Sequence, residues 1–223
     1  QLSVPSYCFP QQIDYFSSSV FYAWWKQYEG TDNWERFYQG KAYDEISGDY
    51  VISKDIFAQT GRQKAIEAMG KLIDYDAGYC YDKCYNYGTN NFRNLQTAYL
   101  NHGQGTLALN AAMYPCGDWL GQEASDTASD DFGFMKTPVI SSIVDRLTTV
   151  KTDAQLSEVI SYVDGEITKD GFTSSYSDED IAAVEEARRM IDCDGLNHLC
   201  YAPAYTNAKT LVKEFLQFMA SDA

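Results

Sequence analysis

The chain has 223 residues, 45% of them hydrophobic, which suits one large domain or two small ones with a sizeable core. Its 32 acidic and 17 basic residues give a formal net charge of -15, so the surface repels phosphate backbones and anionic lipid and argues against a nucleic-acid partner. No apolar run reaches membrane-spanning length, and no charged segment followed by an apolar one opens the chain as a secretory leader would.

In chain order, Leu2–Tyr7 reads as a short strand. A helix follows to Gly30, with Phe16, Val20, Trp24 and Tyr28 on one face at a spacing of four. Trp24 lies on that apolar stripe and is expected to pack. Asn33–Phe37 adds a short helical turn, and Gly40–Phe57 reads as a polar loop with a weak hairpin. Thr60 and Gln63 form a capping-box pattern ahead of Ile66, Met69, Leu72 and Ile73. Residues 76–91 are broken by Gly and Asn into a loop, and Phe92–Leu100 is a helix with Leu95 and Tyr99 on one side. "TLALNAAMY" (Thr106–Tyr114) and "DFGFMKTPV" (Asp131–Val139) look like strands. Thr152 with Gln155, and Ser177 with Asp180, mark two further helix starts, the second running to about Ile191. "LCYAPAY" (Leu199–Tyr205) reads as strand and Asn207–Met219 as an amphipathic helix. The alternation predicts an α/β fold with more helix than strand, without internal repeats.

Several chemistries fail on spacing. "GQGTLA" (Gly103–Ala108) matches a dinucleotide fingerprint, but a helix precedes it and a strand follows, the reverse of what the pyrophosphate requires. "DYDAGYCYDKCY" from Asp74 starts like a calcium loop, then places Tyr79 at the sharp turn and Tyr85 where the bidentate Glu belongs. The six cysteines are Cys8, Cys80, Cys84, Cys116, Cys193 and Cys200. Cys80, Cys84, Cys193, His198 and Cys200 lack paired zinc-knuckle spacing, and local disulfides or free thiols are simpler. With two histidines, His102 and His198, and no G-x-S-x-G elbow, nucleophilic catalysis has little support. No cofactor is expected. Aromatics reach 15%, with 18 tyrosines; Tyr and Trp suit wet recognition clefts as well as cores.

The segment "AAMYPCGDWLGQEA" (Ala111–Ala124) places Trp119 directly after a turn beside Asp118. Together with "NLQTAYLNHGQG" before it, "FGFMKTPV" after it, "GRQKAIEAMGKLI" upstream and "AYTNAKTLVKEFLQFMAS" downstream, it resembles extracellular solute-binding proteins, the carbohydrate-type receptors of bacterial ABC importers. That resemblance implies a periplasmic-binding-protein-like lobe, helix-rich, with a small mixed sheet. It implies that residues 1–223 are the C-terminal lobe and adjoining hinge elements of a two-lobe protein, with the N-terminal lobe absent and 144–192 a helical insertion. Trp119 then matches the tryptophan that stacks on a sugar, Asp118 a neighbouring acceptor of sugar hydroxyls, and Tyr15 and Phe16 an aromatic pair facing the ligand. The departures are Leu109, where the family often has Gly, and Cys116 at a turn position that is commonly polar.

The implied partners are a sugar or oligosaccharide, the transmembrane permease and the missing lobe, with no nucleic acid. The implied location is extracellular, membrane-anchored as a lipoprotein in the full-length protein. Two rival readings are a fragment of a carbohydrate-active enzyme with an aromatic subsite, and a non-catalytic interaction domain. The first predicts catalytic carboxylates flanking Trp119, the second a buried Trp119 and no cleft.

Overall fold

The structure is a computed structural model and describes residues 17–74, 76–77, 79–80, 84, 92–101, 111–117, 119–123, 133–190 and 205–219. The chain divides into two compact units, Gln1–Asp192 and Cys193–Ala223. Helices dominate the described residues, beside one two-stranded antiparallel sheet. None of these helices is long and apolar enough to cross a membrane. The α/β, helix-rich expectation holds at that level, whereas the sheet described is antiparallel rather than mixed.

The first unit is built around a short central helix. A π-helical segment, Ser17–Tyr22, leads into α1, Ala23–Glu29. A π-turn holds more residues than an α-turn, so it rotates the residues after it relative to a regular four-residue stripe. Trp25 is consequently the most deeply buried tryptophan of α1, 2% exposed, while Trp24 is only partly buried. Gly30, at φ +80°, ends α1 and allows α2, Thr31–Gln39, to begin at once. The hairpin follows: β1, Lys41–Asp44, and β2, Asp49–Ile52, pair with Lys41 opposite Ile52 and Tyr43 opposite Tyr50. A 3-10 turn, Lys54–Ala58, then leads to α3, Thr60–Leu72.

Thr60 is not the cap of α3. Gln59 holds the N-cap position without a side-chain cap bond, and Glu29 Oε1 accepts the Gly61 N–H at 2.6 Å instead. That approach needs glycine: a Cβ on Gly61 would lie 2.8 Å from Glu29 Oε1 and 2.9 Å from Tyr28 Cδ1. Gly61 and Ala65 therefore face α1, and Ile66 turns outward to 50% exposure rather than lining the buried face.

Next come α4, Phe92–Leu100, and α5, Leu120–Glu123. Val20, Cys80, Cys84, Leu95 and Ala111 form one small core with Met69, Leu72 and Met113 packed on it. The segment "FGFMKTPV" forms no strand over its described residues, 133–139. Three backbone groups at 137–140 bond α1 side chains instead of a ladder. Trp24 Nε1 donates to Pro138 O at 2.9 Å, Gln27 Nε2 to Thr137 O at 3.5 Å, and Ile140 N to Gln27 Oε1 at 2.9 Å.

Residues beyond 144 join the larger core. A 3-10 turn, Ser141–Asp145, precedes α6, Asp153–Val163, and α7, Asp178–Arg189. Tyr28, Ile143, Leu147, Val150, Leu156, Val159, Ile181 and Val184 are buried together there. Thr152 caps α6 as its sequence predicts, accepting from Gln155 N at 3.2 Å, and Ser177 caps α7, accepting from Asp180 N at 3.1 Å. Asp180 does not complete a capping box. Its carboxylate, 3% exposed, crosses to the 148–150 loop and accepts the backbone N–H groups of Thr148, Thr149 and Val150 and the Thr149 hydroxyl.

The second unit is described over Tyr205–Met219. Its helix, α8, spans Lys209–Met219 and leaves Leu211 and Phe215 exposed. The expected strands Leu2–Tyr7 and Leu199–Tyr205 fall almost wholly outside the described residues.

Asp180 yields a stability prediction. Burial opposes its ionisation, but the Thr149 hydroxyl and the three backbone N–H groups outweigh that and hold its pKa below the ordinary aspartate value. A lowered folded pKa contributes stability above the unfolded pKa, lost as pH falls through the folded one. Asp180→Asn is expected to cost about 2–3 kcal/mol at pH 7 in urea denaturation, and to flatten the acid limb of stability against pH. An unchanged midpoint would rule out this role.

Candidate functional site

The residues singled out in the sequence are placed unevenly. Asp118, Tyr15 and Phe16 lie outside the described residues. Trp119 is described and half-buried, at the turn that starts α5. Its carbonyl accepts from Gln122 N and Glu123 N at 3.0 Å each, and Leu120 N donates to Gly117 O at 3.2 Å. The indole folds back over Gly117 so closely that any Cβ there would overlap the six-membered ring. Beside it, Leu120 is buried with Leu100, against Tyr99 and Cys116. Tyr99 and Tyr114 stack at 5.4 Å and 22°. Burial pushes the Cys116 thiol up to about 11, with Glu123 adding to the shift, so at neutral pH it is a protonated, unreactive thiol.

An open cleft of about 510 Å³ lies elsewhere, beneath the hairpin, and Trp119 does not line it. Its walls come from five places in the chain, and local geometry explains each. Asn33 and Arg36, three apart on α2, share a helix face. Lys41 and Tyr43 alternate onto one side of β1, and register brings Tyr50 of β2 opposite Tyr43. Asp55 and Gln59 enter from the 3-10 turn and its end, Glu29 from the end of α1, and Arg146 from the residue after the second 3-10 turn.

The tyrosines meet edge-on at 5.4 Å and 64°. The Arg36 guanidinium lies 3.8 Å above the Tyr50 ring, and its Nη1 donates to Asn33 Oδ1 at 2.7 Å. That stack is a cation–π contact that fixes both side chains. Behind the cleft, Trp25, Trp34, Phe37 and Phe57 form an edge-to-face aromatic wall, with Trp25 4.8 Å from Trp34 and 4.6 Å from Phe37. Trp25 Nε1 donates to Gln59 Oε1 at 2.8 Å, and Gln59 Nε2 to Asn33 O at 2.8 Å, which ties the wall to the cleft floor.

Glu29 is the unusual titratable group. Burial raises its pKa, while the Gly61 N–H and the charge of Arg146 partly offset that. Arg146 itself donates to the Tyr28 carbonyl. Among the described residues no group of three or more His, Cys, Asp or Glu side chains is placed to hold a metal ion. The cleft therefore offers two tyrosine rings, one of them covered on one face by Arg36, together with hydrogen-bonding amides and both signs of charge.

Sequence reasoning passed over Tyr43 and Tyr50. The available signal was the alternation Lys41, Tyr43 against Tyr50, Ile52 across a turn containing Gly48, which marks one face of a hairpin. No family model matches the chain, and neither a curated protein nor a solved structure matches it.

Glu29 carries the second prediction. A raised carboxylate pKa means the folded protein holds the proton more tightly, so its contribution to stability declines as pH rises from 4.5 through the folded value. Glu29→Gln keeps an acceptor for the Gly61 N–H and removes the desolvated charge. The variant is expected to match or exceed the parent at pH 7, with a shallower decline above pH 4.5, in thermal denaturation across pH. A loss beyond about 1 kcal/mol at pH 7 would show that the charge itself is needed.

Proposed function

We propose that the chain is a non-catalytic binding protein that holds a saccharide in the cleft beneath the 41–52 hairpin. In the fuller reading it is a periplasmic-binding-protein-like lobe of an extracellular, lipid-anchored receptor that delivers its ligand to the permease of an ABC importer. The observation that carries saccharide capture is the Tyr43–Tyr50 pair beside Asn33, Arg36 and Lys41 in one open cleft. Sugars present apolar C–H faces ringed by hydroxyls, so aromatic planes with hydrogen-bonding neighbours suit them. The receptor role is supported by the ordered resemblance of the segments from Asn94 to Val139 and from Ala204 to Ser221. A two-lobe receptor works by hinge closure around its ligand. The ligand face that the resemblance assigns to Trp119, Asp118, Tyr15 and Phe16 is an alternative location for the site, since Trp119 does not line this cleft.

One observation favours a second reading. Glu29, whose pKa burial raises, and Asp55 both line the cleft, and a pair of carboxyl groups in one cleft is the equipment of a glycosidase. Turnover of an aryl glycoside that Glu29→Gln and Asp55→Asn each abolish would replace the binding reading with an enzymatic one.

The binding reading is tested by isothermal titration of the full chain against a panel of oligosaccharides. Tyr43→Ala and Tyr50→Ala are each expected to weaken the best ligand about tenfold. Full binding in both variants, with binding lost in Trp119→Ala, would move the site to the 111–119 turn. A panel in which nothing binds would end the reading.

A further inference from the structure

The cleft inverts the charge balance of the chain that surrounds it. Over the whole sequence acids outnumber bases, 32 to 17. Among the cleft residues the bases Arg36, Lys41 and Arg146 outnumber the acids Glu29 and Asp55. The acids are already engaged: Glu29 Oε1 takes the Gly61 N–H at 2.6 Å, and Asp55 Oδ2 takes the Ser53 hydroxyl at 3.0 Å.

The cations are engaged unequally. The charge of Arg146 acts on Glu29 and Arg36 reaches the exposed Asp32 at 3.8 Å, whereas Lys41 forms no ion pair among the described residues. Arg36 commits one of its five N–H donors, to Asn33, while Tyr50 fixes the plane of its guanidinium. A guanidinium held in place with donors to spare is pre-organised for a planar anion. On an acidic protein, Arg36 with donors to spare and the unpaired Lys41 on the wall of one concavity favour an anionic ligand there against the charge of the whole.

Resting on the saccharide-capture reading, we propose that the ligand is an acidic saccharide, presenting a carboxylate to Arg36 and Lys41 while a sugar ring rests against Tyr43 and Tyr50. A phosphorylated sugar, with up to about two negative charges at neutral pH, would meet Glu29 and Asp55 more strongly.

The test is isothermal titration of the full chain with three oligosaccharides of equal length and linkage: a hexuronate, its neutral hexose counterpart and a sulfated hexose. The hexuronate is expected to bind about tenfold more tightly than the neutral sugar at low salt, and the gap is expected to narrow in about 0.5 M salt. Lys41→Gln is expected to narrow the same gap, and Lys41→Arg to restore it, in variants whose melting temperatures show them folded. Equal affinity for the acidic and neutral sugars overturns the acidic preference and leaves saccharide capture standing. Tighter binding of the sulfated sugar overturns the assignment of a carboxylate. Binding of none of the three removes the capture reading itself.

Discussion

Gln27 sits in the middle of α1, 3% exposed, with both ends of its amide committed to a chain segment more than a hundred residues away. It accepts from Ile140 N and donates to Thr137 O, while Trp24 takes the carbonyl of Pro138 between them. A buried amide of this kind is costly unless every bond is made. Once made, the bonds fix where residues 137–140 run, and so where the 3-10 turn of Ser141–Asp145 and the large core of α6 and α7 begin. On the next face of α1, Trp25 bonds Gln59 and anchors the aromatic wall behind the cleft. At its end, Glu29 meets the start of α3. A seven-residue helix is too short to stand alone. It holds because each polar side chain it buries is another segment's missing partner.

The acids that dominate the composition have definite work in the same frame. Glu29 accepts from the first turn of α3, Glu186 from Thr31 N at the start of α2 at 2.9 Å, and Asp180 from the loop just before α6. Helix starts expose unpaired N–H groups and a positive dipole end, so carboxylates are favoured partners there. Arg188 pairs bidentately with Asp164, tying α7 to the end of α6. These four carboxylates are tied to backbone donors or arginine, while Lys41 in the cleft forms no ion pair among the described residues. Fold and electrostatics are here one arrangement seen from two sides.

This division explains what could be read from the sequence. Phe92–Leu100, the caps at Thr152 and Ser177, and the weak hairpin within Gly40–Phe57 rest on neighbours a few residues apart, and the structure has them where local chemistry puts them. The misses are long-range. Nothing local tells that a π-helical segment will turn Trp25 inward, that Asp180 will leave its own helix for the 148–150 loop, or that Gln27 and Trp24 will stand in for a strand partner of "FGFMKTPV". The cleft was hidden for the same reason. Trp119 draws attention because its turn is written in adjacent residues. Tyr43 and Tyr50 face each other only through the register of four-residue strands, too short for alternation to be distinctive.

The hairpin itself is the least supported part of the frame. Two strands alone are marginal in water, and β2 is exposed along its whole length. Ser53 N donating to Gly40 O at 3.0 Å extends its ladder at the open end, and Arg36 of α2 stacked on Tyr50 holds it to the body. A ligand that fills the space between Tyr43, Tyr50 and the α2 face would bind this folded arrangement and not a frayed one. By linkage its binding energy would then appear as hairpin stability. On the proposed reading the ligand would be the third wall of this cleft, which would give a physical reason for the exposed rings of Tyr43 and Tyr50.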